Sequence, residues 1–132
     1  MTFYRCSKCN QLHINLVQNN QVMTCCEEET IELEPNRDEL IVNEHKPKVR
    51  RIGNFITIDV GELSHPMINI HFIEFIMIET NEGFQCKQLR PNDKPQVSFL
   101  VELEETLINV YVYCSVHGLF DLDEITEKEV DE

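Results

Sequence analysis

The chain has 132 residues, 42% of them hydrophobic, and a formal net charge of −13. That length suits one ordinary domain, or a small stapled module beside a compact core, and the hydrophobic share excludes a disordered chain. The acidic balance argues against nucleic acid as a partner, because nothing offsets phosphate repulsion over most of the surface.

The start, Met1 to Cys6, shows no apolar core of signal-peptide length and no later run reaches membrane-spanning length; the most apolar stretch, Met67 to Ile78, is broken by Asn69, His71 and Glu74. The expectation is a soluble, cytoplasmic protein with no membrane contact. Disulfides are rare in that compartment, so six cysteines in so short a chain point to metal or redox chemistry.

In chain order, the first element is a cysteine-rich segment too short to bury a core, and a metal is the expected staple. Cys6-Ser-Lys-Cys9 is a Cys-x-x-Cys knuckle, and fifteen residues separate it from the adjacent pair Cys25-Cys26. Four thiolates can hold one tetrahedral metal, and geometry suits iron and zinc equally. Pro35-Asn36-Arg37-Asp38 reads as a turn or linker. From residue 40 onward the pattern is β. Phe55 to Val60 alternates and stops at Gly61. Ile68 to Ile78 is rich in β-branched and aromatic residues. Asn81-Glu82-Gly83 reads as a turn, and Phe84 to Leu89, Gln96 to Leu103 and Ile108 to Tyr113 read as strands. Helical periodicity is weak throughout, so an antiparallel sandwich is expected. The end, Asp121 to Glu132, holds seven acids and one lysine and reads as a solvated tail.

Five histidines are spread along the chain. A lone histidine is more often structural than a ligand. Cys114-x-x-His117-Gly118 can offer a sulfur and an imidazole to one ion, and His65 and His71 share parity in a strand-like stretch. Spacing alone leaves a metal site and a set of structural histidines both open. Lys46, Lys48, Arg50 and Arg51 form a basic run beside His45. It reads either as a positive mouth for an anion or as a solvated strand face. Cys86 is expected to be a buried free thiol, and Phe72 and Phe75 to be core. Glu74 reads either as a hydrogen-bond partner of a ligating histidine or as an exposed residue.

Two sets of motifs carry a resemblance. Tyr4-Arg-Cys6-Ser-Lys-Cys9 with Cys25-Cys26 resembles desulforedoxin, a small rubredoxin-like module that holds one iron by four cysteines. That module usually has Gly after each cysteine pair; here Asn10 and Glu27 stand there, and Glu adopts a left-handed backbone poorly. Asn43-Glu-His45-Lys-Pro47, Ser64-His65-Pro-Met67, His71-Phe-Ile-Glu-Phe75 and Tyr113-Cys114-Ser-Val-His117-Gly-Leu119 resemble, in order, the ligand motifs of superoxide reductases. Together they resemble the two-iron desulfoferrodoxin family over residues 1 to 121.

The resemblance implies a mainly β protein: a desulforedoxin-like module over 1–36, an immunoglobulin-like antiparallel β-sandwich over 37–121, and an acidic tail over 122–132. It implies two irons per chain, the first on Cys6, Cys9, Cys25 and Cys26, where zinc is the rival. The second would sit on His45, His65, His71, His117 and Cys114. The implied activity is one-electron reduction of superoxide to hydrogen peroxide, with a rubredoxin-like donor and a homodimeric assembly. Four imidazoles and one thiolate would leave the sixth position of ferrous iron open to a small anion. The family usually has Glu-Lys directly before the first histidine ligand, where this chain has Asn43 and Glu44. Glu44 is therefore only a candidate ferric ligand, and Lys46, with Lys48, a candidate for substrate steering. The alternative is a non-enzymatic electron-transfer or metal-binding protein that kept the ligands without the turnover.

Overall fold

A computed structural model describes residues 1–17, 19, 21–61, 65–122 and 128–129. The chain divides into two compact units, Met1–Glu34 and Pro35–Glu132. In the first, β1 (Phe3–Arg5) lies between β2 (Leu12–Ile14) and β5 (Ile31–Leu33), and β3 (Thr24–Cys25) pairs with β4 (Glu28–Glu29). Phe3 and Cys6 are its only fully buried apolar side chains among the described residues. So few buried groups do not offset the chain entropy of ordering such a piece, which is why its stability must come from a cross-link.

The second unit opens with a single helical turn, α1 (Val42–His45), which the sequence does not announce. Strands follow: β6 (Pro47–Ile52), β7 (Phe55–Val60), β8 (Ile73–Thr80), β9 (Gly83–Gln88), β10 (Gln96–Leu100), β11 (Leu107–Cys114), β12 (Gly118–Asp121) and β13 (Lys128–Glu129). They form two four-stranded sheets, ordered β10-β7-β6-β13 and β12-β11-β8-β9. The pairing is antiparallel as expected, except that β13 runs parallel to β6 and so gives two residues of the acidic end a strand. Asp121 ends β12 and Leu122 is buried in the core, against the expectation of a solvated tail starting there, and the remaining tail residues, 123–127 and 130–132, lie outside the described residues.

The two sheets face each other across one core. Alternation supplies it: Ile56, Ile58 and Val60 from β7, Val97 and Phe99 from β10, and Val110, Val112 and Cys114 from β11 all point inward and are buried. One open side of the sandwich is closed by side chains. Gln85 Nε2 donates to the Leu100 carbonyl at 2.8 Å, and Lys87 donates to the Ser98 carbonyl and sits over the Phe99 ring. Capping the carbonyls of edge strand β10 this way removes a template for pairing with another chain.

Two predicted strands are longer than those observed. Ile68 to Ile78 becomes a strand only at Ile73. Ile68 and His71 exchange both backbone hydrogen bonds, at 3.1 and 3.0 Å, so the chain reverses over Asn69-Ile70. Pro66 just upstream has no N–H to give a ladder. Gln96 to Leu103 ends at Leu100, where the Arg51 guanidinium takes over the carbonyls of Glu102, Leu103 and Glu105.

Candidate metal centres

The knuckle of the first unit is tied by its own backbone: Asn10 N–H donates to the Cys6 carbonyl at 2.9 Å, and Cys6 N–H to the Gln11 carbonyl at 3.0 Å. The second pair sits in the β3–β4 hairpin. The sulfurs of Cys6, Cys9, Cys25 and Cys26 all lie within 4.8 Å of one another. Cys9 Sγ is 3.7 Å from Cys25 Sγ, which is 4.0 Å from Cys26 Sγ. Four sulfurs about 2.3 Å from one tetrahedral ion would be spaced by about 3.8 Å, so the cluster is already of metal-holding size. Backbone amides of Cys9 and Lys8 lower the Cys6 thiol to about 7. Its hydrogen bond with Cys6, then burial, pushes Cys25 up to about 12, and contacts with Cys9 and Cys6 raise Cys26. Thiols this crowded resist ionising together, and a bound cation reverses that preference.

The backbone answers the question raised by Asn10 and Glu27. Both are left-handed, at φ 61° and 64°, and Cys26 joins them at φ 53°. The second knuckle therefore takes the conformation that glycine usually serves, with a glutamate carrying the strain.

The second cluster gathers at one end of the sandwich. Ligand atoms of His45, His65, His71 and Cys114 all lie within 4.8 Å of one another. His117 adjoins them: its Nδ1 is 3.2 Å from His45 Nε2 and 3.8 Å from Cys114 Sγ. Two nitrogens at right angles about one ion, each about 2.1 Å away, would be about 3.0 Å apart, so that spacing suits neighbouring ligands.

Four separate pieces of chain deliver these groups. The α1 turn brings His45, whose Nδ1–H donates to the Ile41 carbonyl at 2.8 Å and whose ring stacks on Phe120 at 4.1 Å. His65 follows β7 and donates from Nδ1 to the Pro66 carbonyl at 2.7 Å. Each carbonyl fixes the tautomer and leaves Nε2 facing the cluster, with His65 Nε2 3.5 Å from Cys114 Sγ. His71 comes from the 68–71 turn, and its Nε2 is buried with no hydrogen-bond partner. An orphaned buried nitrogen costs free energy unless something completes it, and a metal ion fits. Cys114 ends β11, and His117 lies in the turn to β12, where Gly118 takes φ 84°.

Burial favours the neutral form of three of the imidazoles, the form that binds a metal. Burial lowers His45 and His71, and takes His65 down to about 4. Burial raises the Cys114 thiol, while backbone amides of His117 and Val116 favour its thiolate. Those amides, and the Ile41 and Pro66 carbonyls, are main-chain groups with no side-chain signature in the sequence.

Other expectations fare differently. The basic run does not act as one patch. Lys46, Lys48 and Arg50 are exposed, Arg50 is paired with Asp59 at 3.3 Å, and Arg51 is buried, spent on backbone carbonyls. Strand rise alone, about 3.3 Å per residue, sets Arg51 about 13 Å beyond Pro47. Glu44 is exposed beside His45, and its charge raises the His45 and His71 imidazoles against the effect of burial. Cys86 is exposed on edge strand β9, not buried, because it falls on the outward parity of a strand with one neighbour. His65 and His71 meet through a loop and a turn, not through strand parity. Phe72 packs against the core as expected, whereas Phe75 stacks on Tyr113 at 5.6 Å and 4°. His13 sits in β2 and belongs to neither cluster. No helix among the described residues is long and apolar enough to cross a membrane.

Fold and clusters together define the class: a β-sandwich with a four-histidine, one-cysteine cluster at one end, preceded by a four-cysteine unit. The sequence model of the family described as desulfoferrodoxin matches residues 39–123. The chain belongs to the desulfoferrodoxin family. A desulfoferrodoxin homolog of Methanothermobacter thermautotrophicus is 31% identical over 117 residues, 89% of this chain and 94% of its own. The desulfoferrodoxin of Clostridium acetobutylicum is 31% identical over 118 residues, 89% of this chain and 92% of its own. Among solved structures, the superoxide reductase of Treponema pallidum shares the fold with a TM-score of 0.77, at 22% identity, over 92% of this chain and 97% of its own. The 1Fe superoxide reductase of Giardia intestinalis covers 61% of this chain and 95% of its own, at 29% identity and a TM-score of 0.51.

Proposed function

We propose that this chain is a superoxide reductase, reducing superoxide by one electron to hydrogen peroxide. Iron would be held by His45, His65, His71, His117 and Cys114, with a second iron on Cys6, Cys9, Cys25 and Cys26 as an accessory redox centre. Zinc is the rival at the four cysteines. The observation that carries this reading is the donor set: four imidazoles, three of them kept neutral by burial, gathered round one buried thiol. Iron bound there would supply the electron.

The chain's own residues do the rest. The carbonyls of Ile41 and Pro66 hold two rings in one tautomer each, so the donor nitrogens need no rearrangement. Burial raises the Cys114 thiol, and the His117 and Val116 amides work against that rise in favour of the thiolate. Neutral rings keep negative charge from accumulating where an anion must approach. Glu44, exposed next to His45, is the candidate to cap the oxidised site, and exposed Lys46 to steer superoxide inward. A small rubredoxin-like electron donor, a homodimer and a cytoplasmic setting complete the proposal.

The rival is a metal-binding or electron-transfer protein without turnover, favoured by Asn43 and Glu44 standing where relatives of the resemblance carry Glu-Lys. Mixing the iron-loaded, fully reduced chain with superoxide separates the two. The expected result is peroxide equal to the superoxide consumed, with no oxygen released. Oxygen release would mean dismutation, and no consumption would leave the rival standing.

A further inference from the structure

Strand β8 is irregular opposite the sulfur ligand. Ile73 pairs with Cys114 and Phe75 with Tyr113, so Glu74 is an extra residue with no partner on β11. Phe72 and Ser115, next to these pairs, tie the two strands again: Ser115 N–H donates to the Phe72 carbonyl and Phe72 N–H to the Ser115 hydroxyl, both at 3.0 Å. The bulge therefore sits opposite the Tyr113–Cys114 peptide. It keeps both Ile73 and Ile76 on the core face while Phe75 turns out to stack on Tyr113. Bulges are enriched beside active sites, where they re-aim one side chain.

The side chain re-aimed here is an acid. Glu74 is half-buried, and among the described residues no hydrogen bond or ion pair reaches its carboxylate; its carbonyl accepts from Leu89 N–H at 2.9 Å. A half-buried, unpaired carboxylate is unfavourable for stability alone, which points to an electrostatic use. Its charge opposes ionisation of the Cys114 thiol, so the two are within electrostatic reach.

We propose that Glu74, delivered beside Cys114 by the β8 bulge, lowers the reduction potential of the metal held on that sulfur. This rests on the reading of the His/Cys cluster as an iron site. A fixed negative charge favours the more positive, oxidised metal. It acts through Cys114 and touches no substrate, so Glu74 is a positioning residue of the redox centre.

The test is a spectroelectrochemical titration of the iron-loaded full chain at a pH of about 8, far enough above the ordinary carboxylate range to keep Glu74 ionised despite the upward push of its burial. Glu74→Gln is nearly isosteric and removes the charge; Glu74→Asp keeps it. The expected result is a higher potential for Glu74→Gln, such that the oxidised-to-reduced ratio at fixed potential falls on the order of tenfold, about 59 mV for one electron. Glu74→Asp should stay near the parent, and the four-cysteine centre, an internal reference, should not move. An unchanged potential in Glu74→Gln, or an equal rise in both variants, overturns the inference. A chain that binds iron at the cluster yet leaves superoxide untouched sinks the proposed function while the potentials still decide this inference. A cluster that takes up no iron sinks both.

Discussion

At the scale of single residues, Glu27 is where the sequence and its backbone conflict. Its φ of 64° lies in the left-handed region, which costs a side chain with a Cβ roughly 1–2 kcal/mol. The residue directly follows the Cys25-Cys26 pair, so that strain is borne by the hairpin that must present two sulfurs. Glu27→Gly should therefore stabilise the metal-loaded unit by about 1 kcal/mol, the remainder being offset by glycine's larger entropy loss. The measurement is metal retention against a competing chelator, with Glu27→Gln as the control that removes charge and keeps the Cβ. Equal retention in Glu27→Gly and the parent would show that the turn is unstrained, and a gain in Glu27→Gln would assign the effect to charge. The sequence exposed this position because it reads as a departure from a glycine. It was silent on the neighbouring Cys26, whose left-handed φ of 53° follows only from the hairpin closing between β3 and β4.

At the scale of elements, β6 shows how a run of like residues can divide into different roles. Strand parity sends Lys48 and Arg50 outward and Arg51 to the inner face, where it is 7% exposed. There its guanidinium donates to the carbonyls of Gly53, Glu102, Leu103 and Glu105, which binds the 102–105 turn to the β6–β7 hairpin. Hydrogen bonds to a charged group are worth about 1.5–3 kcal/mol each, and carbonyls left unpaired add to the loss. Arg51→Met should thus lower stability by roughly 3–5 kcal/mol, read as a lower urea midpoint at unchanged slope. A shift no larger than that of a surface substitution, within about 0.5 kcal/mol, would mean water replaces the guanidinium without loss. The elements around β6 differ in how legible they were in the sequence. Phe55 to Val60 is read correctly because it alternates and ends at a glycine. The α1 turn is missed because four residues are too few to show a helical period, and the 68–71 reversal is missed because its residues are as β-prone as those of the strand beyond it.

At the scale of the whole chain, the two clusters differ in how the sequence could show them. The four cysteines lie within a local stretch, so spacing alone suggests their meeting. The residues of the His/Cys cluster span from His45 to His117, and only the packing of two sheets brings them to one end. Ordered motifs made them legible, while the carbonyls that fix their tautomers were not. That dependence on global packing has a consequence for acid stability. Folding holds His65 neutral down to about 4, and burial likewise lowers His45 and His71 from the ordinary value of 6.5. In the unfolded chain the same rings take up protons near 6.5, so the unfolded state binds more protons and stability falls as pH falls. Above about 6.5 the rings are neutral in both states and impose no loss; between there and about 4 the loss accrues, reaching about 3 kcal/mol for His65 alone. The metal-free chain should show a sandwich Tm that drops across that window, and His65→Asn should flatten the slope while lowering the plateau. Bound metal should hold the plateau to lower pH, because protons must then displace it. A slope that His65→Asn leaves unchanged would move the acid sensitivity away from this cluster, to the carboxylates that give the chain its charge of −13.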